Sequence, residues 1–438
     1  MLGVNVGRYS MNTIGLDIGT TSICGVRINC ETGEAEKTLA LKNSFWINGG
    51  APFERLQDAE KIFETVLLIA NELKDEHTAA IGLTGQMHGI VYLDSTGRAI
   101  SPLYTWQDER GNQPYKSGTY ASYLNSCTGF GNVTHFYNEI NKIAPDSAAA
   151  YCTIHDYAAA RLAGRKAPLI HVSDAASFGC YDLQKNDFTE KNELQPEITD
   201  TAALLGNWNG IPVYTAIGDN QASFIGSGCG KDCVLVNIGT GSQVSFPVDA
   251  AVNSDELETR PLSDGQYIAV GSSLCGGRAY AALEKFFEDV VKMAGAQPIP
   301  MYDAMGREAE KIGKTDMTFD TLLCGTRKNP ALRGDIKNIS IENFTPGDLI
   351  LSCMHGIANE LYSLYKSGGG NCTRLIASGN GIRKNKLLRR EIEALFGMKL
   401  EIPLLCEEAA TGAALFAMTG HGIYKNIDDA ERIIKYDL

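Results

Sequence analysis

Apolar and polar positions alternate with two different periods along this chain, and the change of period separates strands from helices. In "TIGLDIGTTSICGVRIN" an apolar run leads through a glycine and hydroxyl residues into a second run, which predicts strands at 14–17 and 22–29 joined by a tight turn. In "LQDAEKIFETVLLIANELKDE" apolar residues recur every three or four positions, which predicts an amphipathic helix. Its apolar face is formed by Ile62, Val66, Ile69, Ala70 and Leu73.

The same alternation of helix and strand continues to the end of the chain. The stretch "AAIGLTGQ" reads as a buried strand, and "NFTPGDLILSCMHGIANELYSLYKSGGG" as a long helix that three glycines end. The segments that follow predict, in order, a strand, a helix, a strand and a last helix: "TRLIASG", "IRKNKLLRREIEALFG", "MKLEIPL" and "CEEAATGAALFAMTG". This order predicts an α/β protein with mixed sheets and helices on both faces.

A long-range repeat divides the chain into two halves. About 220 residues after the first hairpin, "VLVNIGTGSQVSF" repeats its pattern, with asparagine in place of Asp17. A repeat at this distance is far longer than a solenoid period and therefore indicates two copies of one large domain. With 438 residues to divide, we predict domains at 1–227 and 228–438.

Composition narrows the class of partner. A net charge of −13 argues against nucleic acid or an acidic membrane surface, which require clustered Lys and Arg, and favours a small molecule. The apolar runs are too short to cross a bilayer, and the N-terminus lacks a signal-peptide pattern; residues 1–10 are expected to be a disordered lead or an overcalled start before Met11. We therefore expect a cytoplasmic protein whose twelve cysteines are reduced thiols.

Three glycine segments are suited to phosphate or nucleotide binding. Glycine lets backbone N–H groups approach phosphate oxygens, and neighbouring hydroxyls add donors, so the two hairpin turns could hold a polyphosphate. The residues concerned are Gly19, Thr20 and Thr21 in the first turn and Gly239, Thr240 and Gly241 in the second. Asp17 would then hold Mg²⁺ through water, and "ASGNGIRKN" at 377–385 would lie against an adenosine. Plain chain reversal is the alternative for each turn.

Two other nucleotide-binding motifs fail on spacing. The dinucleotide fingerprint needs a third glycine that neither "GTGSQV" nor "GNGIRK" contains. "IGSGCGKD" resembles a phosphate-binding P-loop, but Ile225 stands at its first glycine and Asp232 replaces the hydroxyl residue that would hold magnesium.

Further polar clusters suggest what receives the phosphate. "TGQMHG" ends a buried strand with Gln86, Met87 and His88, and "TWQDER" offers hydrogen-bonding groups beside an aromatic wall. The candidate residues of the second cluster are Trp106, Asp108 and Arg110, and "TIHDY" adds Asp156. For His88 the alternative is a purely structural role, and for "TWQDER" the alternative is a solvated loop.

Asp219 in "AIGDNQAS" is the strongest candidate for chemistry. It follows an apolar strand and begins a predicted helix at the seam between the two halves. A carboxylate there could take the proton from a hydroxyl that attacks a γ-phosphate. Capping of the helix is the alternative role.

Together these motifs resemble those of the FGGY carbohydrate kinases. The resemblance runs from about Thr13 to the last predicted helix and implies a pair of actin-like, ribonuclease H-like domains with ATP and sugar in the cleft between them. It implies Asp219 as the catalytic base, Mg²⁺ near Asp17 and Asp219, and an adenosine segment that contains Gly379, Asn380 and Asn385. It also implies sugar contacts from Gln86, Met87, His88, Trp106, Asp108, Arg110, Asp156 and Asn220.

Within the family, "GQMHG" is typical of members that act on ketoses. The set "TWQDER", "TGFG", "TIHDY" and "SDAAS" is most similar to members that phosphorylate sedoheptulose, with xylulose or another ketose or polyol as the alternative acceptor. The helix at "VTHFYNEINKIAPD" and Arg278 in "LCGGRAY" depart from the family pattern. An actin-like ATPase would share both hairpins but would not need the ketose motifs. A homodimer is expected from base rates alone.

Overall fold

The computed structural model describes residues 11–437 except 253, 255, 298, 327, 328 and 330. The expectation about residues 1–10 therefore lies outside the described residues. The chain forms two compact units. The first contains the described residues up to Gly228 together with Arg260–Gln266 and Glu407–Lys435, and the second contains Cys229–Thr259, Tyr267–Cys406 and the described residues from Tyr436 onward.

The first unit is built on a seven-stranded mixed sheet. Its strands, in spatial order, are Leu204–Trp208, Ile211–Tyr214, Thr78–Gly85, Asn12–Ile18, Ser22–Asn29 and Ala35–Lys42, and Ile217–Gly218 also pairs with Thr78–Gly85. The predicted hairpin is confirmed: the first two strands of the chain are antiparallel, with Ile18 opposite Ile23. The helices of this unit are Ala59–Leu73, Tyr120–Tyr123, Gly131–Ile140, Ile154–Leu162, Val172–Ser177, Asp219–Gly226, Glu408–Gly420 and Ile427–Ala430.

Helix Ala59–Leu73 follows its sequence pattern closely. Asp58 caps its N-terminus by accepting the backbone N–H of Lys61, and all five predicted core residues are buried. These side chains join the hydrophobic core of the sheet's central strands. The burial of one apolar stripe explains why a fifteen-residue segment holds a helix here.

The second unit repeats this plan around another seven-stranded sheet. Its strands, in spatial order, are Leu257–Pro261, Tyr267–Ser273, Ser242–Val248, Cys233–Ile238, Arg374–Ser378, Leu400–Pro403 and Tyr436–Asp437. As in the first unit, a hairpin strand, here Cys233–Ile238, also runs parallel to the strand that follows a long helix. The helices are Gly276–Met293, Tyr302–Glu310, Pro346–Ser367, Asn380–Lys384 and Lys386–Phe396. The two-copy α/β architecture is thus confirmed.

Short elements complete both units. The remaining strands are Trp46–Ile47, Leu56–Gln57, Val91–Leu93, Leu103–Tyr104, Pro114–Tyr115, Gly118–Thr119, Ala150–Cys152, Leu169–His171, Tyr181–Asp182, Asp187–Phe188, Glu197–Thr199, Thr318–Phe319 and Ile336–Lys337. Single 3₁₀ turns lie at Arg110–Asn112 and Glu431–Ile433. None of the helices in the described part of the chain combines the length and the hydrophobicity that a membrane crossing requires.

The structure differs from the sequence-based expectations in two places. The single helix expected from "IRKNKLLRREIEALFG" is broken at Asn385, whose backbone is extended and whose side chain caps the second piece by accepting the N–H of Leu388. The last long helix, Glu408–Gly420, packs in the first unit, although the predicted boundary assigned it to the second half. The predicted boundary at 227/228 itself remains a prediction.

Candidate functional site

The first hairpin turn is tied to two of the predicted sugar motifs. The indole Nε1 of Trp106 donates a hydrogen bond to Thr20 Oγ1 at 3.0 Å, and this hydroxyl donates to Gln86 Oε1 at 3.3 Å. Gln57 joins the group by accepting from Gln86 Nε2 and donating to the Thr20 carbonyl, both at 2.9 Å. Gly19 is held by Asn43, which donates to its carbonyl. Thr20, Gln86 and Trp106, far apart in sequence, therefore form one polar cluster, with the Trp106 ring 45% exposed.

The strand ends place Met87 beside the residue that precedes Asp219. Gly218 pairs with Gly85 in parallel register, and a Cβ added at Gly218 would lie 2.6 Å from the Met87 methyl group. A larger residue at 218 would displace the end of the Met87 side chain. Asp219 and the "TGQMHG" loop accordingly lie at the same edge of the sheet, as expected where parallel strands end together.

His88 has a left-handed backbone, with φ of 73°, which is uncommon outside glycine. Its ring stacks on Phe130 with centroids 4.3 Å apart. Nδ1–H donates to the Ser177 carbonyl at 2.8 Å, so the neutral ring carries its proton on Nδ1 and presents Nε2 as an acceptor. These two contacts fix the orientation of the His88 ring. The contact between His88 and the sugar remains a prediction.

Asp108 and Arg110 pair with each other inside the first unit. Both side chains are fully buried, and Asp108 Oδ1 accepts from Arg110 Nε at 2.6 Å. Arg110 also donates to Asn138, and its guanidinium lies 4.2 Å from the Tyr104 ring centre. The other Asp108 oxygen accepts the N–H of Arg55. Through these contacts both side chains hold the loop that carries Trp106. Direct contacts of Asp108 and Arg110 with the sugar remain predictions.

Asp219 begins helix Asp219–Gly226 as its first helical residue. The N-cap position belongs to Gly218, so the capping alternative for Asp219 is wrong. Gly218 is itself fixed by Ser173, whose Oγ accepts the Gly218 N–H at 2.9 Å. Asn220, the next residue, is buried at the start of the same helix.

Burial raises the pKa of both Asp17 and Asp219, and for Asp17 neighbouring carboxylates raise it further. Burial, then the charges of Asp219 and Glu407, raises the pKa of Asp17 to about 7. Burial also raises the pKa of Asp219, which the positive charge of Arg260 partly offsets. Both side chains keep part of their surface accessible although surrounding protein atoms desolvate the carboxyl groups. A basic carboxylate that remains accessible is suited to accept a proton.

A second group of ionisable side chains accompanies Asp17 and Asp219. His155 Nε2 and Asp174 Oδ1 are 2.9 Å apart, and Thr153 donates to Asp156 Oδ2 at 2.7 Å. Burial raises the pKa of Asp156 and of Asp174 well above the usual range and lowers that of His155. In the described part of the chain these three residues are the one set of His, Cys, Asp and Glu ligands whose donor atoms lie within 4.8 Å of one another. Asp156 is fully enclosed here, and its predicted sugar contact remains untested.

The residues present fit the divalent cation that the sequence predicts. Mg²⁺ prefers carboxylate oxygens, and a pair of desolvated carboxyl groups that repel each other gains most from a bound cation. Asp17 and Asp219 form such a pair, because the charge of Asp219 raises the pKa of Asp17. Mg²⁺ binding to them remains a prediction.

We expect the ligand-free protein to be less stable at pH 8 than at pH 6.5. In the folded state Asp17, Asp156, Asp174 and Asp219 have raised pKa values, so the unfolded chain releases these protons first and the contribution of these groups to stability falls as pH rises from about 4 through 7 and above. Each carboxyl that stays protonated only in the folded state costs about 1.4 kcal/mol per pH unit. The thermal midpoint without nucleotide or Mg²⁺ measures this.

Asp174→Asn is the matched variant for that measurement. Its neutral amide cannot ionise, so it should reduce the difference in thermal midpoint between the two pH values. A wild-type protein that is equally stable at both values would contradict the assigned pKa shifts.

The second unit brings its own predicted residues together. Gly239 and Thr240 are exposed in the second hairpin turn, and the Gly239 N–H donates to the Gly241 carbonyl at 2.9 Å. Gly379 has φ of 89° and lies against the end of this hairpin strand, because an added Cβ would approach the Ile238 carbonyl to 2.6 Å. Asn380 follows as the first, exposed residue of its helix. The two glycine segments are therefore neighbours, whereas Asn385 serves as a helix cap.

Sequence reasoning missed several groups that act on the predicted site residues. Arg260 and Glu407 influence the pKa of Asp219 and Asp17, yet both lie far from them in sequence and outside any recognisable motif. His155 and Asp174 fall within the quoted segments "TIHDY" and "SDAAS" and could have been singled out as polar residues in apolar surroundings.

Comparison with known proteins finds a matching family model and relatives over most of the chain. Residues 12–195 match the model of the FGGY family of carbohydrate kinases, N-terminal domain. Sedoheptulokinase from Homo sapiens is 25% identical over 93% of this chain and 98% of its own length. Gluconokinase from Bacillus subtilis is 21% identical over 96% of this chain and 90% of its own.

The fold is shared with solved kinases. Ligand-bound xylulose kinase from Lactobacillus acidophilus superposes with a TM-score of 0.82 at 17% identity, covering 98% of this chain and 93% of that one. The expected pair of actin-like α/β domains is thereby confirmed.

Proposed function

We propose that this chain, which belongs to the FGGY family of carbohydrate kinases, phosphorylates sedoheptulose to sedoheptulose 7-phosphate. ATP is the co-substrate in this family. The observation that carries the proposal is the arrangement of Asp219 at the sheet edge beside Met87, close enough to Asp17 for the charge of Asp219 to raise the pKa of Asp17. The likeness to the human sedoheptulokinase over nearly its full length supports the choice of sugar.

The proposed reaction is a direct phosphoryl transfer. The sugar hydroxyl oxygen bonds to the γ-phosphorus, the bond between that phosphorus and the bridging oxygen of ADP breaks, and the hydroxyl proton passes to Asp219. The raised pKa of Asp219 makes its carboxylate a stronger base than an exposed aspartate. A Mg²⁺ ion held by Asp17 and Asp219 would neutralise negative charge on the phosphate groups.

The remaining polar residues would orient the sugar. Trp106 offers an exposed aromatic face next to Thr20, and Gln86 is fixed by its bonds to Thr20 and Gln57. Side chains held in place by such bonds lose little entropy when a ligand binds. The buried pair Asp108–Arg110 would act indirectly, by keeping the Trp106 loop in place.

A panel of acceptors tests the choice of sugar. With ATP and Mg²⁺ in a coupled ADP assay, we expect the highest kcat/KM for sedoheptulose among sedoheptulose, xylulose, ribulose, fructose, gluconate and glycerol. A clear preference for xylulose or ribulose would replace the proposed substrate with a five-carbon ketose. Sedimentation of nucleotide-driven polymers, without sugar-stimulated ADP release, would instead support the actin-like ATPase.

A further inference from the structure

The short helix Val172–Ser177 forms hydrogen bonds to two segments that carry predicted site residues. Ser173 Oγ accepts the backbone N–H of Gly218, the residue that directly precedes the proposed base, at 2.9 Å. Ser177 Oγ accepts the backbone N–H of His88 at 3.2 Å, and the Ser177 carbonyl lies 2.8 Å from His88 Nδ1. Residues four positions apart lie on the same face of a helix, so one helix face holds both segments.

His171 fixes the direction of the Ser173 hydroxyl. His171 Nδ1 accepts the backbone N–H of Ser173 at 3.3 Å and lies 2.8 Å from Ser173 Oγ. Burial lowers the pKa of His171 to about 4, so the ring is neutral, and an Nδ1 that accepts an N–H carries no proton. The Ser173 O–H therefore donates to Nδ1, and a lone pair of its oxygen remains for the Gly218 N–H. Both side chains are fully buried, and a hydrogen bond in such surroundings is stronger than one in water.

The same helix is anchored through Asp174. Asp174 Oδ1 lies 2.9 Å from His155 Nε2, and the Asp174 carbonyl accepts the Ser177 hydroxyl at 2.7 Å. The side chains of Asp174 and His155 are fully buried, and that of Ser177 is nearly so. Groups that are locked by packing and by hydrogen bonds can hold other residues in a precise geometry. The two serines therefore act from a fixed support.

We propose that Ser173 is a positioning residue for the base Asp219 and acts through the Gly218 N–H. Ser177 is the corresponding positioning residue for His88, the predicted sugar contact. The inference rests on the proposed function and deepens it. Because both serines belong to one anchored helix, they keep the base and the sugar contact at a constant separation, and a small misplacement of reacting groups is costly in rate.

Steady-state kinetics of two matched variants separates the two roles. Ser173→Ala should lower kcat by about 10- to 10²-fold and leave the KM for the sugar unchanged, because the base shifts while the sugar contacts stay. Ser177→Ala should mainly raise the KM for the sugar, by about 2- to 10-fold, the range of one lost neutral hydrogen bond. Both variants remove one buried hydroxyl from the same helix, so a merely structural role would predict the same effect for both.

Ser101→Ala is the control outside the predicted site. Ser101 Oγ also accepts a backbone N–H, that of Tyr92 at 2.9 Å, and donates to the Pro102 carbonyl at 2.8 Å. Its removal should leave kcat and KM unchanged even if the thermal midpoint falls. The control thus separates lost stability from lost position.

Combining Ser173→Ala with Asp219→Asn tests whether the serine acts through the base. The double variant should have the same kcat as Asp219→Asn alone, because residues that act as a unit have non-additive effects. If Ser173→Ala does not fold, Ser173→Cys serves in its place, since sulfur is a weaker acceptor of similar shape and should also lower kcat.

Two results would overturn the role of Ser173: wild-type kcat in a folded Ser173 variant, or a further fall in kcat of the full single-variant size when the change is added to Asp219→Asn. An unchanged KM in Ser177→Ala would overturn the role of Ser177. Failure of the kinase proposal has a different signature, because the wild-type protein itself would then release no ADP in response to any sugar. That result would remove the reaction for which the serines position their partners.

Discussion

Replacing Asp219 with asparagine should lower kcat by about 10²- to 10⁴-fold while ATP still binds. The amide has the size of the carboxyl group but cannot accept the proton of the attacking hydroxyl. The substitution leaves the nucleotide segments of the second unit intact, so nucleotide affinity should remain measurable. Steady-state kinetics with sedoheptulose, together with ATP calorimetry, measures both effects.

Asp219→Asn also has a consequence for stability that a merely structural aspartate would not have. The negative charge of Asp219 raises the pKa of both Asp17 and Asp174, so its removal should lower both pKa values. The variant should therefore be at least as stable as wild type at pH 8 without ligands. Loss of turnover with retained or increased stability is the expected combination.

The matched control is Asp146→Asn, which neutralises an exposed aspartate of the same unit. It should change neither kcat nor the thermal midpoint. Wild-type turnover in Asp219→Asn would transfer the role of base to another residue. A large fall in stability would show that Asp219 mainly supports the fold.

Gly412→Val should abolish folding of the first unit or lower its stability severely. A Cβ added at Gly412 would lie 1.8 Å from the Ala222 carbonyl oxygen, and one added at Gly226 would lie 1.9 Å from that of Glu408. Helices Asp219–Gly226 and Glu408–Gly420 thus pack backbone against backbone through paired glycines. A single extra methylene in a packed core costs about 1–3 kcal/mol, and valine adds more atoms where no space exists.

Gly412→Ala gives a graded version of this test, measured as the midpoint of thermal unfolding and as kcat in the fraction that folds. Because the displaced helix carries Asp219, kcat should fall as well. Gly306→Ala is the control, since a Cβ there meets no atom within 4 Å and the residue lies inside a helix. It should be neutral or stabilising. Equal stability of Gly412→Ala and Gly306→Ala would contradict the close helix packing.

Local patterns were sufficient to predict the parts of the fold that local forces determine. Both hairpins follow from apolar runs around a glycine turn, and the strand Ser22–Asn29 has the predicted bounds. The buried stripe of Ala59–Leu73 follows from its period. In each case the residues that define the element also bury its apolar side, so sequence and packing agree.

Contacts between distant segments could not be read from one sequence. Helix Glu408–Gly420 packs on strands of the first unit, where added Cβ atoms at Gly15 and Gly82 would meet its backbone within 2 Å. Nothing in the segment "CEEAATGAALFAMTG" specifies that placement. The same return of the chain brings Glu407 near Asp17, so the electrostatics of the site depend on a crossing that no motif records.

The same difference between local patterns and long-range contacts is found among the candidate site residues. Thr20, Gln86 and Trp106 form one hydrogen-bonded cluster, because each follows a strand of the same unit. Asp108 and Arg110 have the side chains expected of a sugar site, but in the structure they satisfy each other. Only the three-dimensional arrangement shows that a polar pair in a promising motif is already neutralised.

The fate of the γ-phosphorus of ATP decides whether the protein transfers a phosphoryl group to a sugar hydroxyl. The wild-type protein is incubated with Mg²⁺, sedoheptulose and ATP labelled with radioactive phosphorus at the γ position, and the products are separated. We predict label in a sugar phosphate ester, formed in equal amount with ADP. Label found only in inorganic phosphate, at a rate independent of added sugar, would contradict phosphoryl transfer to the sugar.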